Sequence, residues 1–179
     1  MFGVVPKPLW EKTNPADANN RIEMCSRSLL IENGNRLTLI DTGMGNKQSE
    51  KFFGYYDRWG ADTLEKSLAE KGFHKEDVTD VFLTHLHFDH CGGAVEKDKN
   101  GVLVPAFKNA VYWSPKDHWQ WATVPNARAK ASFLPENILP LQESGQLKLL
   151  EGKDLILANT PLGFDIVLVD GHTDKQMLP

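Results

Sequence analysis

The chain has 179 residues, of which 41% are hydrophobic and 25% charged, a composition ordinary for a soluble globular protein of one domain. Its formal net charge of −4 gives no electrostatic reason to expect a nucleic acid partner or a membrane surface. No apolar run approaches the ~20 residues of a membrane span, and Pro6, Lys7 and Pro8 stand where a signal peptide needs an apolar stretch. We therefore expect a cytoplasmic protein that acts on a small molecule uncharged at its reacting group.

Two short strands joined by a tight turn are predicted between residues 28 and 40. The pair Asn33-Gly34 between two apolar runs is the strongest short hairpin signal. The second strand leads directly into Asp41-Thr42-Gly43. Two interpretations of Asp41 stay open: it accepts a hydrogen bond from a metal-bound histidine, or it only caps backbone amides in an Asx turn.

A helix and a third strand follow the hairpin. The spacing Asp62-x-x-Glu65 is typical of a capping box, Leu64 and Leu68 mark one helical face, and Gly72 predicts the end of a helix of about ten residues. The β-rich run 78–83 then completes a β-α-β order. Residues directly after it should lie at a strand's carboxyl end, where α/β folds commonly bind ligands.

A dense cluster of potential metal ligands comes next. The residues are Thr84-His85-Leu86-His87-Phe88-Asp89-His90-Cys91-Gly92-Gly93. In an extended segment alternate side chains share a face, so His85, His87 and Asp89 can converge, whereas His90 turns away unless the Gly92–Gly93 pair bends the chain. Imidazole and carboxylate together favour zinc, iron or manganese over calcium or magnesium. Five ligands exceed the needs of one tetrahedral ion, so two ions are compatible with the pattern.

Neither cysteine suggests a disulfide framework, and two cysteines fit a reducing compartment or simple packing. We interpret Cys91 as a small residue that packs at a helix start, not as a ligand.

Six of the seventeen aromatic residues lie between residues 95 and 139. Two interpretations are open, a packed core or an apolar wall over the metals. The candidate pocket residues are Phe2, Trp113, Trp119 and Trp121. For His118 we expect a solvent-facing or hydrogen-bonded role instead of metal binding.

Three short strands are predicted near the carboxyl end, at residues 147–150, 155–157 and 166–169. They would open a second sheet of a sandwich. The last strand is followed by Asp170-Gly171-His172-Thr173, in which His172 offers a third imidazole to His85 and His87. A three-histidine zinc site with an open fourth position lowers the pKa of bound water to about 7.

Taken in order, Asp41-Thr42-Gly43, His85-x-His87-x-Asp89-His90 and Gly171-His172-Thr173 resemble the metallo-β-lactamase superfamily of metal-dependent hydrolases. The segment 2–7, the histidine cluster and the aromatic stretch 112–121 are most similar to its branch of acyl-homoserine-lactone lactonases and methyl parathion hydrolases. The resemblance implies an α/β fold, the αββα sandwich. It also implies His85, His87 and His172 on the first metal, Asp89 and His90 on the second, and Asp41 and Thr173 in support.

The family pattern extends beyond this sequence. The resemblance leads us to expect a bridging aspartate on a later strand and a final histidine, and a first strand ahead of residue 2. We therefore predict that residues 1–179 form a single domain of an incomplete αββα fold. Such a domain should have an unpaired strand edge around residues 155–169, through which it either associates with itself or retains the missing segment as a separate chain.

The leading functional hypothesis is a hydrolase in which metal-activated hydroxide attacks an ester, lactone or phosphotriester. Asp89 would position the second metal or the water and later carry a proton. The alternative is a catalytically incomplete metal-binding or interaction module. An oxidoreductase on the same scaffold is weaker, because the sequence has no recognisable flavin domain or thiol substrate site.

Overall fold

A computed structural model describes residues 2, 4–152 and 154–179. Gly3 of the amino-terminal segment lies outside this part. The helices are α1 (Lys7–Trp10), α2 (Glu50–Gly54), α3 (Leu64–Glu70), α4 (Phe88–Cys91), α5 (Lys116–Thr123) and α6 (Pro135–Glu143). The strands are β1 (Leu29–Asn33), β2 (Arg36–Ile40), β3 (Asp80–Phe82), β4 (Val95–Lys97), β5 (Leu103–Pro105), β6 (Val111–Pro115), β7 (Leu147–Leu150), β8 (Ile156–Leu157), β9 (Ile166–Val169) and β10 (Gln176–Leu178). No helix in these ranges has the length and apolar character needed to cross a membrane.

The main sheet has five strands in the order β1-β2-β3-β6-β7. The hairpin β1-β2 is antiparallel and the other three pairings are parallel. Strands β2, β3 and β6 therefore end at the same edge of the sheet, and the segments that follow them meet there. The predicted hairpin is confirmed, but its turn is Gly34-Asn35, one residue later than expected, because Asn33 still pairs with Arg36.

Helix α3 is shorter than predicted. It begins after Thr63, whose side chain accepts a hydrogen bond from the backbone N–H of Lys66 at 3.1 Å, so Thr63 and not Asp62 is the N-cap. Asp62 instead pairs with the Lys66 ammonium at 2.8 Å. The predicted stop at Gly72 is confirmed, since this residue has φ +81° just after the last turn.

Alternation along the strands of the main sheet builds two apolar cores. On one face Leu39, Val81 and Tyr112 pack with residues of helices α3, α5 and α6. On the other face their neighbours Ile40, Phe82 and Trp113 pack against the smaller sheet. Because successive strand residues point to opposite faces, a single set of short strands serves both cores. The predicted α/β sandwich is confirmed.

The smaller sheet has the order β10-β9-β8. Strand β10 was not predicted, and it covers one side of β9, so the expectation of an unpaired edge is wrong for β9. The edges of this sheet are β8 and β10, and Leu155 and Ile156 near β8 are 65% and 53% exposed. Self-association through this region stays a prediction.

Close backbone packing beside the main sheet requires glycine at one position in particular. Gly93 donates its backbone N–H to Gly43 O at 3.0 Å, and a Cβ on Gly93 would overlap the carbonyl oxygen of Thr42. We expect Gly93→Ala to reduce the free energy of unfolding by about 1–3 kcal/mol, because backbone cannot move aside cheaply. Gly54→Ala is the matched control, since a Cβ there meets nothing within 4 Å. Equal urea denaturation midpoints for the two variants would contradict this expectation.

Candidate metal centre

Three histidines from the two facing sheets converge. His85 and His87 follow β3, and His172 lies between β9 and β10. One ring nitrogen from each lies within 4.8 Å of the other two, and Nδ1 of His87 is 3.2 Å from Nε2 of His172. His85 and His87 are buried, and His172 is exposed. The structure thus brings together the three imidazoles that the sequence analysis grouped.

A buried ring nitrogen shows what this group is suited to hold. Nε2 of His85 has no hydrogen-bond partner in the described part of the chain. The Thr84 hydroxyl lies 2.8 Å from Asp41 Oδ2 and 3.0 Å from His85 Nδ1. Since the carboxylate can only accept, Thr84 donates its single proton to Asp41 and accepts from His85 Nδ1–H. His85 Nε2 is therefore left with a free lone pair, and the rings of His87, His90 and His172 lie 4.0–4.9 Å from the His85 ring, centroid to centroid.

A divalent transition metal fits this arrangement. A tetrahedral ion with bonds of about 2.0–2.1 Å holds its nitrogen ligands roughly 3.3 Å apart. One pair of ring nitrogens, on His87 and His172, is already 3.2 Å apart, and no separation in the group would have to contract by more than roughly 1.5 Å to reach that value. Burial, followed by the neighbouring His172, lowers the pKa of His87 to about 4. Burial and the adjacent imidazoles likewise lower the pKa of His85. Both rings are thus neutral at pH 7, which is the form that binds metals.

Asp41 organises the loop that carries the histidines. Its Oδ1 accepts the backbone N–H of Thr84 at 2.8 Å, and its Oδ2 accepts from His90 Nδ1 at 2.7 Å in addition to the Thr84 hydroxyl. Two interpretations of Asp41 were left open. The hydrogen bond to a histidine describes the carboxylate better, because it binds His90 directly and reaches His85 through Thr84. It also binds a backbone amide, as the second interpretation required.

Asp89 and His90 lie beside the three histidines and not among them. The chain does not stay extended, because α4 begins at Phe88 and carries Asp89 away from the face shared by His85 and His87. The same turn brings the His90 ring to 4.0 Å from the His85 ring, centroid to centroid. Nε2 of His90 faces Asp89 Oδ2 at 3.6 Å. The bend thus precedes the glycines to which the sequence analysis assigned it.

His90 differs from its neighbours in its charge environment. Burial opposes its protonation, but the hydrogen bond to Asp41 and the carboxylates of Asp41 and Asp89 outweigh burial and raise the pKa of His90. Cys91 shows the opposite effect of burial, which raises the pKa of its thiol to about 12. Its Sγ lies 3.3 Å from Leu86 O, and the residue is fully buried at the end of α4. It therefore packs, as interpreted, although at a helix end and not a helix start.

Two of the four aromatic residues predicted to form a wall over the metals lie in the core instead. Trp113 is buried between the sheets and donates its indole N–H to Asp80 at 2.8 Å, and Trp119 lies in the core beneath the helices. Trp121 packs against that same core, and Phe2 stacks on Trp10 with centroids 4.8 Å apart. Because Trp113 and Trp119 fill the interior, assigning these two rings to a pocket over the histidines was wrong. The assignment of Phe2 and Trp121, which are partly exposed, stays a prediction.

Other aromatic residues lie next to the histidines. Phe133 packs on His87 with ring centroids 4.7 Å apart. Phe52, Tyr56 and Phe88 form a mutually packed set with centroid distances of 5.1–5.3 Å. This set is hereafter the aromatic cluster. Tyr56 is close enough to Asp89 that burial and this carboxylate raise the pKa of the Tyr56 phenol. The position of Phe88 inside the histidine motif was the available sequence signal.

The contacts of Thr173 and His118 test the roles predicted for these two residues. Thr173 is buried, but its hydroxyl has no hydrogen-bond partner among the residues that the structure describes, so no contact supports its assigned role. His118 is buried and uses both ring nitrogens, with Leu86 N–H at 2.9 Å and Asp174 O at 2.5 Å. Its hydrogen-bonded role is confirmed, and the solvent-facing alternative is wrong.

Comparison with known proteins gives one consistent result. A family model described as the metallo-beta-lactamase superfamily matches residues 26–178. A probable metal-dependent hydrolase from Staphylococcus aureus is 31% identical with a TM-score of 0.82, over 99% of this chain and 61% of that one. The dizinc quorum-quenching lactonase AidC, solved with a product, is 27% identical with a TM-score of 0.61, over 84% of this chain and 50% of that one.

A third solved structure resembles the chain in fold alone. It is the hydrolase AbOPH of the beta lactamase superfamily, 20% identical with a TM-score of 0.66, over 98% of this chain and 59% of that one. No curated protein sequence matches the chain significantly. The chain therefore spans between one half and 61% of the length of these three structures.

The buried side chain of Lys47 links the loop after Asp41 to the segment after α4 by a hydrogen bond. Lys47 is 7% exposed and donates to Gly92 O, and burial lowers the pKa of Lys47 to about 8. The unfolded chain therefore binds more protons than the folded one between pH 8 and the ordinary lysine pKa of 10.5, so this group adds stability as pH rises through that window. Between pH 8 and pH 10.5, we expect the unfolding free energy of the wild type to rise by roughly 3 kcal/mol relative to that of Lys47→Met.

The control for this measurement is Lys51→Met, which removes an exposed lysine from α2. Urea denaturation at a series of pH values gives the three unfolding free energies. A wild type that shows the same pH slope as Lys47→Met would contradict the expectation.

Proposed function

The chain belongs to the metallo-β-lactamase superfamily, and from that premise we propose that it is a zinc-dependent hydrolase of small esters, lactones or phosphotriesters. The observation that carries this proposal is the buried, unpartnered Nε2 of His85 at the meeting point of three imidazoles. A buried acceptor without a partner is costly. A bound cation would remove that cost and occupy the one position that all three rings reach.

We assign the first metal to His85, His87 and His172, and the second to Asp89 and His90. Zinc suits neutral imidazoles with an open position, and iron or manganese also fits this donor set. When bound, such an ion lowers the pKa of water toward neutrality and polarises the bond under attack.

The protein's own contribution is to orient the ligands and handle protons. Asp41 fixes Thr84 and His90, and Thr84 fixes the proton of His85 on Nδ1. This leaves the Nε2 lone pair of His85 free for ligation and places Nε2 of His90 3.6 Å from the Asp89 carboxylate. The Asp89 side chain is 38% exposed, so it can exchange a proton with solvent or with a leaving group.

The second candidate function is a metal-binding module without full activity. In the described ranges, the three histidines are the only group of three or more potential ligands that meets in one place. The second site would rest on Asp89 and His90 alone, 3.6 Å apart. Two ligands hold an ion weakly, so this candidate predicts one bound metal and little turnover.

The aromatic cluster beside Asp89 supports the proposal that the substrate carries an apolar group. Tyr56 is 42% exposed, whereas Phe52 and Phe88 are half-buried, so one side of the cluster is available to a ligand. Apolar walls with a few polar groups are typical of small-molecule sites. We therefore extend the proposal to substrates that carry an acyl or aryl substituent.

The hydrolase proposal is tested by loading the chain with zinc and assaying one ester, one lactone and one phosphotriester. Metal content is measured by mass spectrometry. We expect His85→Ala to lose the first zinc and reduce kcat/KM by at least a hundredfold, because it removes a ligand. His74→Asn is the matched control, since His74 is exposed and lies outside the group.

The outcomes separate the two candidates. Bound zinc with turnover that depends on His85 supports the hydrolase. One bound zinc that His85→Ala abolishes, without turnover on any of the three substrates, supports the module. A wild-type chain that binds no zinc would contradict both.

The acyl-group proposal predicts a selective effect of Phe52→Ala. This variant removes one ring of the aromatic cluster without touching Asp89 or the histidines. We expect KM to rise roughly tenfold for a long-chain member of whichever series is hydrolysed, because about 1.4 kcal/mol of apolar contact is lost. A short-chain member should be nearly unaffected. Tyr55→Ala, at a residue 69% exposed, is the control. Equal losses on short and long chains would argue against an acyl site here.

A further inference from the structure

His118 joins the two backbone segments that carry the three converging histidines. Its Nε2 lies 2.9 Å from the backbone N–H of Leu86, which sits between His85 and His87. Its Nδ1 lies 2.5 Å from the carbonyl oxygen of Asp174, two residues after His172. A single side chain therefore spans the gap between the loop after β3 and the loop between β9 and β10.

The partners of His118 determine its protonation. A backbone N–H can only donate and a carbonyl oxygen can only accept, so Nε2 must be the acceptor and Nδ1 must carry the proton. The ring is fully buried, and burial lowers the pKa of His118 to about 4, so the neutral form persists at pH 7. Protonation would place two donors face to face at Leu86. The ring thus behaves as a fixed bridge between the two segments.

Packing restricts the ring further. Phe133 lies against both His118 and His87, with centroids 5.9 Å and 4.7 Å away. A hydrogen bond from Met177 N–H to Thr84 O, at 2.9 Å, links the segment after β3 to strand β10, which directly follows the second loop. His118 itself is anchored on α5, which starts directly after β6. The bridge therefore ties both loops to the edge of the main sheet.

We propose that His118 is a positioning residue that sets the separation between His172 and the His85–His87 pair, and thereby the metal affinity of the three-histidine group. It does not ligate the metal. This inference rests on the proposed function in assigning a metal to the three histidines. Residues that orient ligands from outside the metal's own shell commonly change metal affinity 10- to 100-fold when removed.

The test compares three forms of the chain. His118→Phe keeps the ring but removes both hydrogen bonds. Ala122→Gly is the matched control, because it weakens the same helix at a buried position without touching Leu86 or Asp174. Zinc affinity is measured by competition with a chromophoric chelator, and stability by urea denaturation without metal. We expect zinc affinity to fall at least tenfold in His118→Phe and to be unchanged in Ala122→Gly, with both variants less stable than wild type.

The results separate positioning from plain structural support. Wild-type zinc affinity in a folded but destabilised His118→Phe protein would overturn the proposal. A long-range proton–nitrogen NMR spectrum of the wild type provides a second measurement that needs no variant. It should show His118 neutral with its proton on Nδ1, and a proton on Nε2 would also overturn it.

Failure of the metal assignment is recognised separately. If the wild type binds no zinc, the proposed function fails, and the bridge is then judged in the metal-free chain by hydrogen exchange of the Met177 amide. Faster exchange in His118→Phe but not in Ala122→Gly supports a bridge that holds the two loops together. Unchanged exchange overturns it.

Discussion

The candidate site depends first on the Asp41 carboxylate. It accepts the Thr84 backbone amide, the Thr84 hydroxyl and the His90 ring at 2.7–2.8 Å. Asp41 itself has φ +57°, a left-handed conformation that is sparsely populated outside glycine and persists only when surrounding contacts hold it. Those contacts include its N–H to Phe82 O at 2.9 Å. The strain is thus located at the residue that fixes the orientation of two histidines.

Parallel strands explain why residues so distant in sequence meet around this carboxylate. Asp41 follows β2, the His85–His87 pair follows β3, and His118 lies in the helix that follows β6. These three strands are neighbours that end at one edge of the sheet. The short strands alternate their side chains between two cores, so the backbone at that edge is held on both faces. A rigid edge of this kind is what precise positioning of ligands requires.

Several features of the fold and of the candidate site could be predicted from the sequence. The hairpin at Asn33-Gly34, the apolar run before Thr84 and the grouping of His85, His87 and His172 were each predicted from sequence motifs. The structure agrees with each, except that the turn lies one residue later, at Gly34-Asn35. The features that the sequence pattern did not predict depend on long-range packing. Trp113 is a core residue because Asp80 on the neighbouring strand satisfies its indole N–H. The turn at α4 follows from contacts with the 42–47 loop, which single-sequence periodicity does not contain. Strand β10 forms because β9 is its neighbour.

The division of the three histidines between two sheets links metal binding to the packing of the sandwich. His85 and His87 follow a strand of the main sheet, whereas His172 follows a strand of the smaller one. Apolar residues packed between the two sheets, such as Phe82 and Met177, are fully buried. The His85 and His172 rings lie 4.9 Å apart, centroid to centroid, across the junction between the two sheets. A metal that binds only when all three histidines are together would therefore stabilise the packing of the two sheets by mass action. The bridge through His118 and the hydrogen bond of Met177 oppose opening of the same gap, so the fold already holds its loops near the separation that a metal would select.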